Sequence, residues 1–119
     1  MASEGFLTTH ILDTARGCPA AGVRIELFRL TGETRTAMTT AITNHDGRTD
    51  TPLVAKGALE TGRYELCFHI GDYFADFSPQ QDHRFLDIVP VRFGIDDATS
   101  HYHVPLLASP FGFSTYRGS

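Results

Sequence analysis

The sequence predicts an all-β fold, specifically a β-sandwich, and two observations carry that prediction. Apolar residues alternate with polar ones along several segments, which is the pattern of strands with one buried face. Turn residues separate these segments at short intervals, as in Asp46-Gly47 and Thr61-Gly62. Many short strands divided in this way are typical of a sandwich of two packed sheets.

The clearest strands are predicted over residues 23–30, where Val23, Ile25 and Leu27 alternate with charged residues, and over residues 63–70. Weaker patterns predict five further strands, over residues 7–12, 35–43, 86–95, 101–108 and 114–117. Tyr73, Phe74 and Phe77 recur at helical spacing, so a short helix is predicted over residues 71–77. Residues 53–59 and 78–84 are expected to be loops.

Length and composition restrict the classes of function. The 119 residues, 41% of them hydrophobic, suit a single domain over residues 1–119 with little material for a deep private cleft. A net charge of −4 argues against nucleic acid as a partner, and no apolar run reaches membrane-spanning length. Two cysteines, Cys18 and Cys67, and no secretory signal predict a cytoplasmic protein with free thiols.

Histidines are the first candidates for chemistry. On a strand, His10 shares a face with Thr8, whereas Leu7, Thr9 and Ile11 point to the opposite face. His101 and His103 also share one face, roughly 6.5–7 Å apart, a spacing that suits two groups flanking a substrate or two ligands of one metal. They could equally be surface imidazoles on a solvated strand face.

Other chemistries find less support. A zinc site would need a third ligand such as His10 beside His101 and His103, and nothing in the spacing requires it. Cys67 lies within a strand without a flanking motif, and no Gly-x-Ser-x-Gly elbow supports a serine nucleophile. Lys56, in a predicted loop, has no evident apolar pocket for Schiff-base chemistry.

Two further segments carry functional side chains. The turn over residues 44–48, Asn-His-Asp-Gly-Arg, projects Arg48 at the start of the next segment. The aromatic-rich tail, residues 111–119, is predicted to form an ordered final strand. Its last four residues bring together a phenol, a guanidinium, a hydroxyl and, on the expectation that the chain ends there, a carboxylate.

Taken together, these motifs closely resemble those of the 5-hydroxyisourate hydrolase family, the transthyretin-like enzymes of purine catabolism. The resemblance runs over nearly the whole chain, from about residue 6 to residue 119. It is carried by four segments: Leu-Thr-Thr-His-Ile-Leu-Asp (7–13), Asn-His-Asp-Gly-Arg (44–48), His-Tyr-His-Val-Pro-Leu-Leu (101–107) and Tyr-Arg-Gly-Ser (116–119). The last is the most specific, because transthyretin itself lacks that ending.

This resemblance implies a transthyretin-like sandwich of two four-stranded sheets with one short helix near residues 71–77. It also implies a homotetramer with substrate sites at the dimer–dimer interface. The implied reaction adds water across the N1–C6 amide of 5-hydroxyisourate and gives 2-oxo-4-hydroxy-4-carboxy-5-ureidoimidazoline, with no cofactor and no metal. The functional positions map onto His10, Arg48, His103, Tyr116, Arg117 and Ser119.

The residue chemistry suits this reaction. A histidine titrates near neutral pH and can deprotonate water, and a guanidinium can stabilise oxygen charge as it develops. We therefore expect His10 or His103 to activate water and Arg48 to bind and polarise the ring carbonyls. Tyr116 and Arg117 are expected to bind substrate, and Ser119 to orient a histidine.

His101 is assigned to support of the fold or an interface, and His45, His69 and His83 to surface or structural positions. The chief alternative is a non-enzymatic, transthyretin-like carrier of a small ligand. A zinc-dependent hydrolase or metal-binding module is the second.

Overall fold

The structure, a computed structural model that describes residues 4–119, confirms the predicted all-β sandwich with one short helix. Residues 1–3, which the predicted single domain includes, lie outside the described residues. In chain order the strands are β1 (Phe6–Thr8), β2 (Ile11–Asp13), β3 (Cys18–Pro19), β4 (Arg24–Thr31), β5 (Thr34–Ile42), β6 (Gly62–His69), β7 (Ile88–Ile95), β8 (His101–His103), β9 (Leu106–Ser109) and β10 (Gly112–Thr115).

The two four-stranded sheets have the strand orders β10-β9-β2-β3 and β5-β4-β6-β7. The second sheet is antiparallel throughout, as expected for strands that alternate apolar and polar residues. In the first sheet β2 pairs with β9 in parallel. The strands β1 and β8 pair in the same parallel sense and form a separate two-stranded sheet. The first sheet therefore brings an early and a late part of the chain side by side.

Two of the predicted strands are each divided in the structure. The predicted strand 7–12 becomes β1 and β2, and the predicted strand 101–108 becomes β8 and β9. The second gap contains Pro105, which has no amide hydrogen to donate to a ladder. Backbone hydrogen bonds nevertheless cross both gaps, from Val104 N–H to the Thr8 carbonyl (3.0 Å) and from Leu106 N–H to the His10 carbonyl (2.9 Å). The parallel pairing thus continues without a change of register.

The sandwich core is formed by the inward side chains of both sheets. Leu7 from β1 and Ile11 from β2 share one core cluster with Ile25, Leu66 and Phe68 from the second sheet, and all five are fully buried. Such burial contributes about 1.5–3 kcal/mol for each large apolar side chain.

Burial confirms the predicted alternation along residues 23–27. Along residues 63–70 the predicted apolar face is buried, but Glu65 and Cys67 on the opposite face are buried as well, because Glu65 is paired with Arg35 and Arg92.

The predicted helix at residues 71–77 is shorter than expected. An α-helical turn, α1 (Ile70–Tyr73), ends at Phe74, and a separate 3-10 turn covers Ala75–Phe77. The three aromatic residues at helical spacing cluster around the Arg16 guanidinium, whose central carbon lies 4.4 Å from the Phe77 ring centroid. Their spacing therefore reflects packing on one cation rather than a continuous helix.

The remaining local predictions concern the final strand, the loops and the thiols. The final strand covers Gly112–Thr115 rather than residues 114–117, and residues 78–84 form an irregular, largely exposed segment. Cys18 and Cys67 are both free, as predicted. Within residues 4–119, every helix is too short or too polar to cross a membrane.

Candidate active site

The parallel register brings His10 and His103 into direct contact. Thr8 is the cross-strand partner of His103, and this alignment places His10 next to the same imidazole. His10 Nδ1 lies 2.8 Å from His103 Nε2, and the two rings are stacked with centroids 4.9 Å apart. The two candidate bases of the sequence analysis therefore form one hydrogen-bonded pair.

Thr8 joins this pair to the third histidine of the cluster. Its Oγ1 lies 2.7 Å from His103 Nδ1 and 2.6 Å from His101 Nε2. Both ring nitrogens of His103 are therefore engaged, whereas His10 Nε2 has no hydrogen-bond partner among residues 4–119. His101 is held from its other side by the Phe6 ring, stacked at 3.9 Å.

The turn over residues 44–48 carries Arg48 to the same place. Asn44 closes the turn with its side chain and its backbone. Its Oδ1 accepts from the backbone N–H groups of Asp46 and Arg48, and its backbone N–H donates to the Arg48 carbonyl at 2.7 Å. Ile11 N–H donates to the Gly47 carbonyl at 2.8 Å, which fixes the turn against the strand that follows His10.

Gly47 is required at that contact. Its φ is +73°, and a Cβ there would lie 2.5 Å from the Ile11 carbonyl oxygen.

The Arg48 side chain makes no hydrogen bond or salt bridge to any other residue within 4–119, so its guanidinium is free to receive an anionic or carbonyl oxygen.

The tail reaches the histidine pair through Gly118. Its amide donates to the His103 carbonyl at 2.7 Å, and a Cβ at this position would lie 2.7 Å from His103 Cδ2. Glycine therefore allows the backbone to lie directly against the imidazole. Tyr116 and Ser119, on either side of this contact, both line the cavity described next.

These elements surround an open cavity of about 460 Å³. It is lined by the three histidines, Arg48, the Thr49–Pro52 loop, Thr8, Thr9, Tyr116, Gly118 and Ser119. Five of the six site residues named from the sequence, His10, Arg48, His103, Tyr116 and Ser119, are therefore brought together. The sixth, Arg117, lies outside the lining, and its guanidinium packs over the Tyr102 ring at 4.1 Å.

The site keeps His10 and His103 neutral. Burial, followed by the charges of His10, Arg48 and His101, lowers the pKa of His103 to about 4 from an ordinary 6.5. Burial and the Arg48 charge also lower the pKa of His10. Both imidazoles are therefore uncharged at neutral pH, so a lone pair is available for taking a proton.

The arrangement does not offer a metal-binding set. Within residues 4–119 no group of three or more His, Cys, Asp or Glu side chains is arranged to hold a metal ion. The three histidines of the cluster point their facing nitrogens at one another and at the Thr8 hydroxyl. The zinc alternative therefore gains no support from the geometry.

Among the residues that contact the histidine pair directly, sequence reasoning missed Thr8 and Gly118. The strand pattern put Thr8 on the His10 face, and that placement was the available signal.

The other three histidines lie outside the cavity lining. His45 is 88% exposed beside Asp46, His69 hydrogen-bonds to Glu26, and His83 lies in the exposed 78–84 segment.

Comparison with known proteins identifies the family. The model of the HIUase/Transthyretin family matches residues 7–118, which include nearly all of the site. The chain belongs to this family. A 5-hydroxyisourate hydrolase of Deinococcus radiodurans is 57% identical over 119 residues, covering 100% of both chains.

Solved structures agree with this family assignment. (S)-allantoin synthase superposes with a TM-score of 0.90 at 47% identity, covering 100% of this chain. This chain spans 46% of that longer protein. The 5-hydroxyisourate hydrolase of Klebsiella pneumoniae superposes with a TM-score of 0.76 at 36% identity, covering 97% of this chain and 94% of that one.

The low pKa of His103 makes stability depend on pH. Unfolded His103 binds a proton below pH 6.5 while the folded residue stays neutral until about pH 4, so acid favours unfolding. The free energy of unfolding should fall by on the order of 3 kcal/mol across this window. Urea unfolding measured at a series of pH values gives the free energy of unfolding as a function of pH. This free energy should fall less steeply with decreasing pH in His103→Asn than in wild type. The exposed His45→Asn variant should retain the wild-type slope, and equal slopes in all three proteins would contradict the assignment.

Replacement of Gly118 should displace the tail from the imidazole. Gly118→Ala puts a methyl group against His103, so water should reach the ring and the pKa of His103 should rise from about 4 toward 6.5. NMR titration of the imidazole measures this change. Gly112→Ala is the matched control, because a Cβ there meets nothing closer than 3.8 Å. An unchanged His103 titration in Gly118→Ala would show that the close contact is unimportant.

Proposed function

We propose that this protein is a cofactor-independent hydrolase that opens the ring of 5-hydroxyisourate by adding water to the N1–C6 amide. The observation that carries the proposal is a free His10 Nε2 in a neutral histidine pair, at a cavity that also holds the unpaired Arg48. The substrate assignment is supported by full-length relatives named 5-hydroxyisourate hydrolase, one of them 57% identical.

His10 acts as the general base in this proposal. Both nitrogens of His103 are hydrogen-bonded, so His10 Nε2 is the ring nitrogen of the pair that is left for a water molecule. His10 takes a proton from water at Nε2 while the water oxygen bonds to C6 of the ring. It then returns that proton to N1 as the C6–N1 bond breaks, so the enzyme ends in its starting protonation state.

Arg48 provides the electrostatic partner. Attack on C6 turns a carbonyl oxygen into an oxyanion, and a guanidinium held without a carboxylate partner can stabilise that charge. The Gly47 and Asn44 contacts hold the Arg48 backbone in place before substrate binds, which reduces the reorganisation needed at the transition state.

The tail completes the site. The Tyr116 phenol and the Ser119 side chain border the cavity, where they can hydrogen-bond the polar edge of the substrate ring. The proposal assigns Tyr116 to substrate binding and Ser119 to orientation of the histidine pair. Arg117 contributes to binding indirectly, by packing on Tyr102 and holding the tail against the strand.

A non-enzymatic carrier is the less favoured candidate. A carrier of an apolar ligand gains little from three histidines and an unpaired arginine, since each polar group costs free energy when it loses water without a partner. The proposed hydrolysis uses His10, His103 and Arg48 directly.

The proposal includes a homotetramer with the cavities at a dimer–dimer interface. Its support is a set of large, exposed aromatic side chains, one of which borders the cavity. Tyr116 is 58% exposed while bordering the cavity, Phe111 is 68% exposed, and Phe85 is 73% exposed. Large exposed aromatic residues of this kind are typical of interfaces between subunits.

The free cysteines support a cytoplasmic location, and one domain over residues 1–119 is part of the same proposal.

The activity is tested by generating 5-hydroxyisourate from urate with urate oxidase and following its absorbance. The wild-type protein should accelerate the decay. His10→Asn and His103→Asn should each lower kcat by roughly 10²- to 10⁴-fold, because the first removes the base and the second its orienting partner. His45→Asn, which alters an exposed histidine away from the cavity, is the matched control. No acceleration by the wild-type protein, or full turnover in His10→Asn, would refute the proposed reaction.

The tetramer is tested by sedimentation velocity at several concentrations. We expect one species of four 13.1 kDa chains at micromolar concentration, with activity per chain falling once dilution dissociates it. Monomers with undiminished activity would contradict a site shared between subunits.

A further inference from the structure

His10 can act as a base only if its open Nε2 carries a lone pair rather than a hydrogen, and the same choice exists for each nitrogen of His103. The Thr8 hydroxyl lies between His103 and His101, and it is half-buried in the same cavity wall. A neutral imidazole donates from one nitrogen and accepts at the other, so a chain of such groups has a direction. That direction determines whether His10 presents a lone pair or an N–H to the substrate.

We propose that Thr8 and His101 are positioning residues: the hydrogen-bond chain His101–Thr8–His103–His10 holds His10 in the tautomer whose Nε2 is free to accept a proton. This inference rests on the proposed hydrolase function only for its kinetic consequence. The tautomers themselves are a property of the folded protein and can be measured without substrate.

The chain can run in two directions. In the first, His10 Nδ1–H donates to His103 Nε2, His103 Nδ1–H donates to Thr8 Oγ1, and the Thr8 hydroxyl donates to His101 Nε2. All three histidines are then protonated at Nδ1, and His10 Nε2 has a lone pair. In the reverse direction every hydrogen moves to the other partner, and His10 presents an Nε2–H that cannot act as a base.

The charge of Arg48 favours the first direction. Arg48 is the cross-strand partner of His10, and burial together with the Arg48 charge lowers the pKa of both His10 and His103. A nearby positive charge favours a lone pair over an N–H at the open His10 Nε2. The Phe6 ring, parallel to the His101 ring at 3.9 Å with an interplanar angle of 5°, holds His101 in place at the end of the chain.

The strand register explains why these four groups meet. Phe6 pairs with His101 and Thr8 with His103 in the parallel β1–β8 ladder, so alternate residues of the two strands face the same side. Serine could supply the same hydroxyl at position 8, whereas valine keeps the shape of threonine and loses the hydrogen bonds. The pair of substitutions therefore separates hydrogen bonding from packing.

The first test measures tautomers in the free protein. Long-range ¹⁵N–¹H NMR correlations distinguish Nδ1–H from Nε2–H imidazoles, and wild type should show Nδ1–H for His10, His101 and His103. In Thr8→Val, His103 Nδ1 has no acceptor, so His103 should shift to Nε2–H and His10 should follow. Thr8→Ser should keep the wild-type pattern. Wild-type Nε2–H at His10, or an unchanged pattern in Thr8→Val, would overturn the proposal.

The second test measures turnover of 5-hydroxyisourate. Thr8→Val should lower kcat by roughly 10- to 100-fold, the usual loss when the partner that orients a functional histidine is removed, with KM changed less than about threefold. Thr8→Ser should restore most of the lost activity. Thr36→Val, the same substitution on the exposed strand β5, should match wild type. Full kcat in Thr8→Val would overturn the proposal.

A second variant guards against misfolding of Thr8→Val. His101→Phe removes the acceptor at the end of the chain but keeps a ring that can stack on Phe6, and it should shift the His103 tautomer and lower kcat in the same way. Wild-type tautomers and turnover in a folded His101→Phe would contradict the proposed chain. If wild type fails to hydrolyse 5-hydroxyisourate while its tautomers are as expected, the proposed function fails and the hydrogen-bond chain stands.

Discussion

The site depends on one constraint, the parallel register between the first strands of the chain and the strands of residues 101–109. The alignment that pairs Thr8 with His103 also pairs Ile11 with Leu106, and hydrogen bonds cross the Pro105 gap without a shift. A slip by one residue would turn His10 and Thr8 into the core and expose Leu7 and Ile11. Burial of these apolar residues therefore fixes the geometry of the polar ones.

Close backbone approach at two glycines brings the remaining groups to that strand pair. Gly47 lies against the Ile11 carbonyl and carries Arg48 to the cavity, and Gly118 lies against the His103 ring and carries Ser119 there. At both positions the missing side chain is what permits the contact. Thus two side chains of the proposed active site, Arg48 and Ser119, each depend on a neighbour that has no side chain.

The sequence predicts which side chains share a face but not which strands lie beside each other. Alternation with period two placed His10 with Thr8, and His101 with His103, because successive strand side chains point to opposite faces. The contact between these two pairs joins residues 95 apart in the chain, which no local pattern encodes. For this reason Thr8 passed as an ordinary strand residue, and only the family resemblance linked the segments.

The aromatic segment shows a second limit. Tyr73, Phe74 and Phe77 have helical spacing, yet the helix ends at Tyr73 because each ring packs on Arg16, and the Tyr73 hydroxyl donates to buried Asp13. Arg117 differs in the same way. Its position beside Tyr116 predicts substrate binding, and in the structure its guanidinium packs over the Tyr102 ring, outside the cavity lining. Tertiary contacts decide where the aromatic side chains and the Arg117 side chain point.

Burial and the charge of Arg48 have opposite effects on the two proton transfers of the proposed reaction. Burial and Arg48 disfavour a charged imidazole, so they oppose the uptake of a proton by His10 and favour its release. The oxyanion formed in the same step faces Arg48 and offsets that penalty, because the new negative charge appears next to a fixed positive one. Because the pKa of His10 is lowered, the resulting imidazolium is a stronger acid than an ordinary one, which favours protonation of the leaving nitrogen. A single positive charge near a neutral histidine pair therefore assists both bond formation at C6 and cleavage of the C6–N1 bond.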